Sequence, residues 1–383
     1  MNQQNFDGLS NVSTRVQLYD YDAHSTVLHS RLLTALAERK LAYSIYRKLN
    51  FAVYLDLGEF FDDLAINLGW NALRYGEEEM SLDAAGLLIH ATGNSKSEYC
   101  SCIFRIWANS VERAEEAKAA ILDRAGRAKI DKAMVTICWG FVNSKGELHK
   151  ATIEEMVDDV LYDEAYPELE SGIAKFISAY LDSSETILVL QGKPGTGKTR
   201  LIRSILGEMT LRKGKQVSAL YTGDKKALEN DEIFLNFVTG SDEAFVIEDA
   251  DYILKPRLDG NENLHRFLTI SDGVVRAQGR KIIFSTNLPN VGDLDDALIR
   301  PGRCFARLMV RELSKIESIK LLERLCNGDV KMLARAEKSL SISDRGTFSV
   351  AEIYRLHEQA VRQEVGAEAV KPIVKIGQHR IGF

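Results

Sequence analysis

Residues Ile187–Arg200 read ILVLQGKPGTGKTR, and the rest of the chain is organised around this stretch. Ile187 to Leu190 form an apolar run that predicts a buried strand. A glycine-rich turn follows, and a helical pattern begins behind it. Gly192, Gly197, Lys198 and Thr199 fit the spacing G-x-x-x-x-G-K-[ST]. Glycines let backbone N–H groups turn toward a polyphosphate without Cβ clashes. The helix behind them presents its positive end to the same phosphates. The pattern therefore predicts a phosphate-binding loop lined by Gly192, Pro194, Gly195, Thr196, Gly197, Lys198, Thr199 and Arg200. Lys198 would reach the β- and γ-phosphates, and the Thr199 hydroxyl would ligate Mg²⁺.

Further along, Ala244–Asp251 reads AFVIEDAD, four apolar residues ending in acids. A buried parallel strand would deliver those carboxylates beside the loop, at the end of the sheet where ligands bind. One would hold the metal shell and the other would orient the attacking water. By position Glu248 takes the metal and Asp249 the base role, with Asp251 as the alternative base. The commoner order is Asp then Glu. Lys281–Ser285 (KIIFS) predicts a third apolar strand, and Asn287 just beyond it can reach the γ-phosphate or the lytic water. Arg300 and Arg303, three apart around Pro301 and Gly302, form a corner whose guanidinium groups suit a phosphate supplied by a neighbour. Such head-to-tail completion of a site implies a ring or a helix of subunits.

Taken together, GKPGTGKT, FVIEDAD, FSTN and ALIRPGR resemble an AAA+ ATPase of the classical AAA clade, over about residues 180 to 310. The Glu-Asp order, and LHRFLTISDGV (264–274) ahead of IIFSTN, are similar to the branch containing the mitochondrial translocase that assembles the cytochrome bc complex. The resemblance implies an α/β P-loop NTPase fold, a parallel sheet flanked by helices with a C-terminal helical lid. It implies ATP and Mg²⁺ as cofactors, Asn287 as sensor 1, Arg300 and Arg303 as arginine fingers, and a homo-oligomeric ring, a hexamer or similar. Two features depart from it. That translocase carries an N-terminal membrane span, whereas no apolar run here approaches span length. Threading members carry an aromatic pore loop beyond the second strand. Here the region reads LYTGDKKALEND (220–231), and Tyr221 reads as a strand-end aromatic.

Around this module the 383 residues divide, by texture, into an N-terminal α+β recognition domain over 1–150, an ATPase subdomain over 151–310 and a helical lid with a tail over 311–383. The first domain reads as helices near 25–36 and in the later part of 51–73. Strands follow at 85–91, 99–107 and 134–142, with a helix over 110–124 and an Asn143–Gly146 hairpin turn leading into 148–152. His24, His29, His90 and His149 are scattered singly and form no catalytic cluster. Val160, Leu161 and Tyr162, in the acidic segment before the loop, are candidates for contacts to the adenine base or part of a solvated linker. The tail KIGQHRIGF is basic and ends in Ile-Gly-Phe, suited to packing on the lid or docking into a partner. Hydrophobic content of 45% and charged content of 27% suit a soluble globular protein. The net charge of −6 argues against broad nucleic-acid binding. The five cysteines show no zinc spacing and read as free thiols in a reducing cytosol. The expectation is a cytoplasmic ring ATPase that remodels or moves an unidentified protein client. A nucleic-acid motor or loader, and a nucleotide-gated assembly scaffold, are the alternatives.

Overall fold

The computed structural model describes residues 14–15, 30, 43–255, 264–267, 279–289, 294–300, 302–341 and 345–364. The chain splits into two compact units, Met1–Met134 and Val135–Phe383.

In the first unit, alternating apolar residues build the strands and two capped helices cover them. The strands are β1 (Thr14–Arg15), β2 (Ile45–Val53), β3 (Asn71–Arg74), β4 (Glu79–Ala84), β5 (Leu87–Ser95), β6 (Cys100–Ala108) and β7 (Lys129–Ile130). They form one sheet in the order β1-β3-β4-β5-β6-β2-β7. Helix α1 (Leu57–Asn67) starts at Asp56, whose carboxylate accepts from Glu59 N at 3.0 Å. Helix α2 (Val111–Ala125) starts at Ser110, whose hydroxyl accepts from Arg113 N at 3.1 Å. Each cap satisfies an amide that the helix itself cannot. Phe60, Phe61 and Leu64 of α1 and Ala114, Ala117 and Ile121 of α2 pack on Phe51, Cys102, Phe104 and Ile106 of the sheet. Burying each large apolar side chain contributes about 1.5–3 kcal/mol. Cys100 and Cys102 are buried free thiols two residues apart on that face. Strand β2 is absent from the sequence reading, because Arg47, Lys48 and Asn50 interrupt its apolar pattern. It nevertheless pairs with β6 along its whole length. The helix expected over 25–36, His24 and His29 lie outside the described residues.

The second unit is built on a parallel sheet. Its strands are β8 (Ala133–Val142), β9 (Leu148–Val157), β10 (Ile187–Gln191), β11 (Val217–Thr222), β12 (Ala244–Ile247), β13 (Lys281–Thr286) and β14 (Cys304–Met309). The order is β14-β10-β13-β12-β11-β8-β9, and every pair from β14 to β8 is parallel. The sequence reading placed β8 and the return strand β9 in the first domain, with a boundary at 150. Instead Val135–Trp139 pairs with Val217–Tyr221, so this hairpin extends the second sheet and the boundary falls at 134. The hairpin turn was readable locally, through Asn143 Oδ1 accepting from Lys145 N and Glu147 N. The partner strand lies some eighty residues downstream, and local chemistry carries no information about it.

Alternate residues of β10 feed two cores. Leu188 and Leu190 join Ile177 of α3 (Ile173–Asp182) and Ile202 and Ile205 of α4 (Lys198–Lys213). Ile187 and Val189 join Leu228 of α5 (Lys225–Glu229), Phe237 of α6 (Asp231–Thr239), Phe245 and Phe284. A short helix α7 (Asp251–Leu254) follows β12. Beyond β14 come a two-stranded antiparallel ladder, β15 (Leu313–Ser314) with β16 (Thr347–Phe348), and helices α8 (Lys315–Cys326), α9 (Val330–Ser341) and α10 (Val350–Glu364). The tail over 375–383 lies outside the described residues. Among the described residues no helix is long and apolar enough to cross a membrane.

Candidate functional site

The loop after β10 is shaped by close approaches that forbid side chains. A Cβ on Gly192 would lie 2.0 Å from the Val310 carbonyl oxygen. Gly197 has φ +104°, and a Cβ there would meet the Tyr166 hydroxyl at 2.8 Å. That hydroxyl, on a side chain only 1% exposed, donates to the Gly197 carbonyl at 2.9 Å and props the loop from behind. The Gly195 carbonyl accepts from Ala351 N at 2.9 Å, so the loop touches the first turn of α10. The Thr196 hydroxyl closes the turn by donating to the Lys193 carbonyl.

Lys198 begins α4 and is buried. Its ammonium donates to the carbonyls of Gly192 at 2.6 Å and Lys193 at 3.0 Å, and to Asn287 Oδ1 at 3.0 Å. Burial lowers the ammonium pKa, while Asp249, Asp251 and Glu248 oppose that shift. Glu248 follows β12 and holds two hydroxyls, one on each oxygen. Thr199 Oγ1 donates to Oε1 at 2.5 Å and the Tyr221 hydroxyl to Oε2 at 3.0 Å. Asp249 has φ 50°, a left-handed conformation that Asp tolerates better than most residues. It accepts from Asn287 Nδ2 at 2.9 Å. Asn287 thus joins the loop lysine to the second acid.

These groups surround one open cleft of about 340 Å³, lined by Pro194, Gly195, Lys198, Thr199, Glu248, Asp249, Ser285 and Asn287. The backbone donors, one buried lysine and a hydroxyl–carboxylate pair make a donor set that fits a polyphosphate with a hard divalent cation. Thr199 and Glu248 are the side chains that would hold Mg²⁺.

Other expected residues lie elsewhere. Asp251 accepts from Thr286 Oγ1 at 2.6 Å and from Asn287 N at 2.8 Å. It is therefore engaged in setting the strand end that carries Asn287. Arg200 lies with its guanidinium 4.0 Å from the Tyr354 ring centroid and 3.9 Å from an Asp159 oxygen, and does not line the cleft. Arg300 is exposed, whereas Arg303 donates to the Ala297 carbonyl at 2.9 Å. Neither lines the cleft of its own chain. Leu161 and Tyr162 pack on the sheet core, with Arg324 over the Tyr162 ring, and Val160 is exposed. His90 pairs with Glu79, and His149 stacks on Phe141. Among the described residues no group of His, Cys, Asp and Glu is arranged to hold a metal by itself.

Sequence reasoning missed Tyr166, Tyr221 and Ser285 as parts of the site. Tyr221 was legible only as an aromatic at a strand end. Its approach to Glu248 comes from β11 and β12 being adjacent and in register, Tyr221 opposite Val246.

Residues 188–312 match the model of the ATPase family associated with various cellular activities (AAA). The chain is 29% identical over 171 residues to an ATP-dependent zinc metalloprotease YME1 homolog of Caenorhabditis elegans, covering 42% of this chain and 22% of that protein. It is 26% identical over 224 residues to the ATP-dependent zinc metalloprotease FtsH of Acidimicrobium ferrooxidans, covering 54% and 31%. It is 30% identical over 213 residues to the proteasome-activating nucleotidase of Methanosarcina mazei, covering 49% of each. The chain thus spans half or less of the length of these relatives. With the phosphate loop, the acids after β12 and Asn287 gathered on one cleft, residues 188–312 are similar to the AAA ATPase domains of the classical clade.

Proposed function

We propose that this chain hydrolyses ATP with Mg²⁺ and uses the energy to remodel or move a protein partner. The observation that carries the first half is the continuous set of contacts around one cleft, from Lys198 through Asn287 to Asp249, and from Thr199 to Glu248. Lys198 and the loop amides bind and orient the phosphates, which is most of what phosphoryl transfer asks of a protein. Bound Mg²⁺ supplies charge neutralisation across the phosphates. Asp249 takes the proton of the attacking water, held in place by Asn287. Asp251 positions Asn287 and does not act as base. The test is phosphate release by the purified chain. Wild type should turn over ATP only with Mg²⁺, and Lys198→Ala should remove nucleotide binding. Turnover by Lys198→Ala at the wild-type rate would sink the assignment.

Lys198 is the cation lining the cleft among the described residues, and an arginine from a neighbouring copy would add charge at the transferring phosphate. Arg300, exposed on its corner, fits delivery to a neighbouring copy in a ring, with Arg303 bracing the corner through Ala297. The matched relatives include ATP-dependent proteases and a proteasome-activating nucleotidase, which favours a protein client over nucleic acid. The Glu-Asp order favours the bc-complex assembly branch within the clade.

A nucleotide-gated scaffold is the second reading, and a specific observation favours it. The segment after β11, where threading relatives place a pore loop, is pinned. Thr222 Oγ1 donates to the Gly140 carbonyl at 2.9 Å, and Asp224 accepts from Val142 N at 3.0 Å while also capping α5. Stimulation of ATPase by an unfolded protein supports remodelling. Assembly that follows nucleotide, without such stimulation, supports the scaffold.

A further inference from the structure

The acid that meets the loop threonine here is a glutamate, one methylene longer than the aspartate that commonly stands first. The extra methylene adds one rotatable bond, so holding the Glu carboxylate in one place costs more side-chain entropy than holding an Asp carboxylate. A carboxylate held only by Thr199 would be free to rotate its second oxygen away. The structure supplies a second tether. The Tyr221 hydroxyl donates to Glu248 Oε2 at 3.0 Å while Thr199 Oγ1 donates to Oε1 at 2.5 Å. Two hydroxyls on opposite oxygens fix the carboxylate plane.

Tyr221 is itself held firmly. Its strand β11 is paired on both sides, with Tyr221 opposite Val246 of β12 and opposite Trp139 of β8. The β8–β9 hairpin makes β11 an interior strand, and β11 would otherwise be the edge of the sheet. The next residue is also anchored to β8, by the Thr222 hydroxyl on the Gly140 carbonyl. The half-buried Tyr221 ring packs against the core on the α4 side of the sheet. A phenol hydroxyl, with an ordinary pKa of about 10, is a donor at neutral pH.

We propose that Tyr221 is a positioning residue that compensates for the longer acid, fixing Glu248 so that it presents one oriented carboxylate with Thr199 to the divalent cation. This rests on the assignment of the cleft to Mg²⁺ and a nucleoside triphosphate. Tyr221 acts through Glu248 and touches no phosphate.

The test is a binding titration of the full chain with a fluorescent ATP analogue, in EDTA and in Mg²⁺, for wild type, Tyr221→Phe, Glu248→Asp and the double variant. Phe keeps the ring and its packing and removes only the donor. Affinity in EDTA sets each variant's own baseline. In Tyr221→Phe the gain in affinity on adding Mg²⁺ should shrink by about tenfold, the size of one hydrogen bond to a charged group. In the Glu248→Asp background the shorter acid is out of reach of the tyrosine, so Tyr221→Phe should have no further effect. An equal Mg²⁺-dependent gain in wild type and Tyr221→Phe overturns the proposal, as does the same loss in both backgrounds. A wild-type chain that binds no analogue in either condition overturns the nucleotide assignment itself.

Discussion

At the scale of single residues, the three acids after β12 have separate environments, and this separates their roles. Glu248 is tied to two hydroxyls, Asp249 to one amide, and Asp251 to the end of β13. Asp249→Asn should leave ATP bound and lower turnover by about 100-fold or more, the usual contribution of a positioned base. Asp251→Asn keeps the shape but weakens the hold on Asn287, so its loss should be smaller. A larger loss in Asp251→Asn than in Asp249→Asn, in single-turnover measurements, would reverse the assignment. The loop residues and the acids were legible in the sequence because the chemistry is local: a fixed spacing of glycines, lysine and threonine, and an apolar run ending in carboxylates. The work of Asp251 was not legible, because its partners Thr286 and Asn287 lie on another strand.

Among the elements, helix α8 has a complete start signal. Ser314 Oγ accepts from Glu317 N, and the Glu317 carboxylate accepts from Ser314 N at 2.8 Å, a capping box. Arg311 grips the same carboxylate through both of its terminal nitrogens, at 2.7 and 2.9 Å. Hydrogen bonding by Arg311, with help from Ser314, pulls the Glu317 carboxyl down to about 2. A folded-state value below the unfolded one stabilises the protein above the unfolded value, and that contribution fades as pH falls. Glu317→Gln should therefore lower the thermal midpoint at neutral pH. The gap from wild type should close between about pH 4.5 and about pH 2. A gap that stayed constant through that window would contradict the pairing. Ser314→Ala should cost about 1 kcal/mol and lower the midpoint by about 2–4 °C. The sequence predicted three amphipathic stretches here, and α8, α9 and α10 occupy them. It did not predict the β15–β16 ladder, whose two-residue strands are too short to leave a periodic signal.

For the whole molecule, the exposed Arg300, and a cleft that no arginine lines among the described residues, lead to a mixing experiment. Rings doped with Arg300→Ala subunits should lose activity faster than the fraction of variant added, because each variant leaves its neighbour's site incomplete. Arg303→Ala should act in the same direction but also loosen the corner, visible as a lower thermal midpoint. Activity that falls only in proportion to dilution would argue against completion between copies. The same scale decides the hairpin. Residues 134–150 read as the end of one domain, yet the β8–β9 hairpin forms the edge of the next sheet and makes β11 an interior strand.

The sequence by itself determined what is encoded within a few residues: the phosphate loop, the acids at a strand end, Asn287, the helix caps and the Asn143–Gly146 turn. Each is a short-range contest between backbone conformation, hydrogen bonding and burial. Only the tertiary structure decided which strand lies beside which. That placement set the domain boundary at 134, brought Tyr221 to Glu248 and Asp251 to Asn287, and kept Arg300 away from its own cleft. Strand pairing joins segments far apart in the chain through backbone groups that every residue carries, so side-chain spacing along the sequence does not specify it.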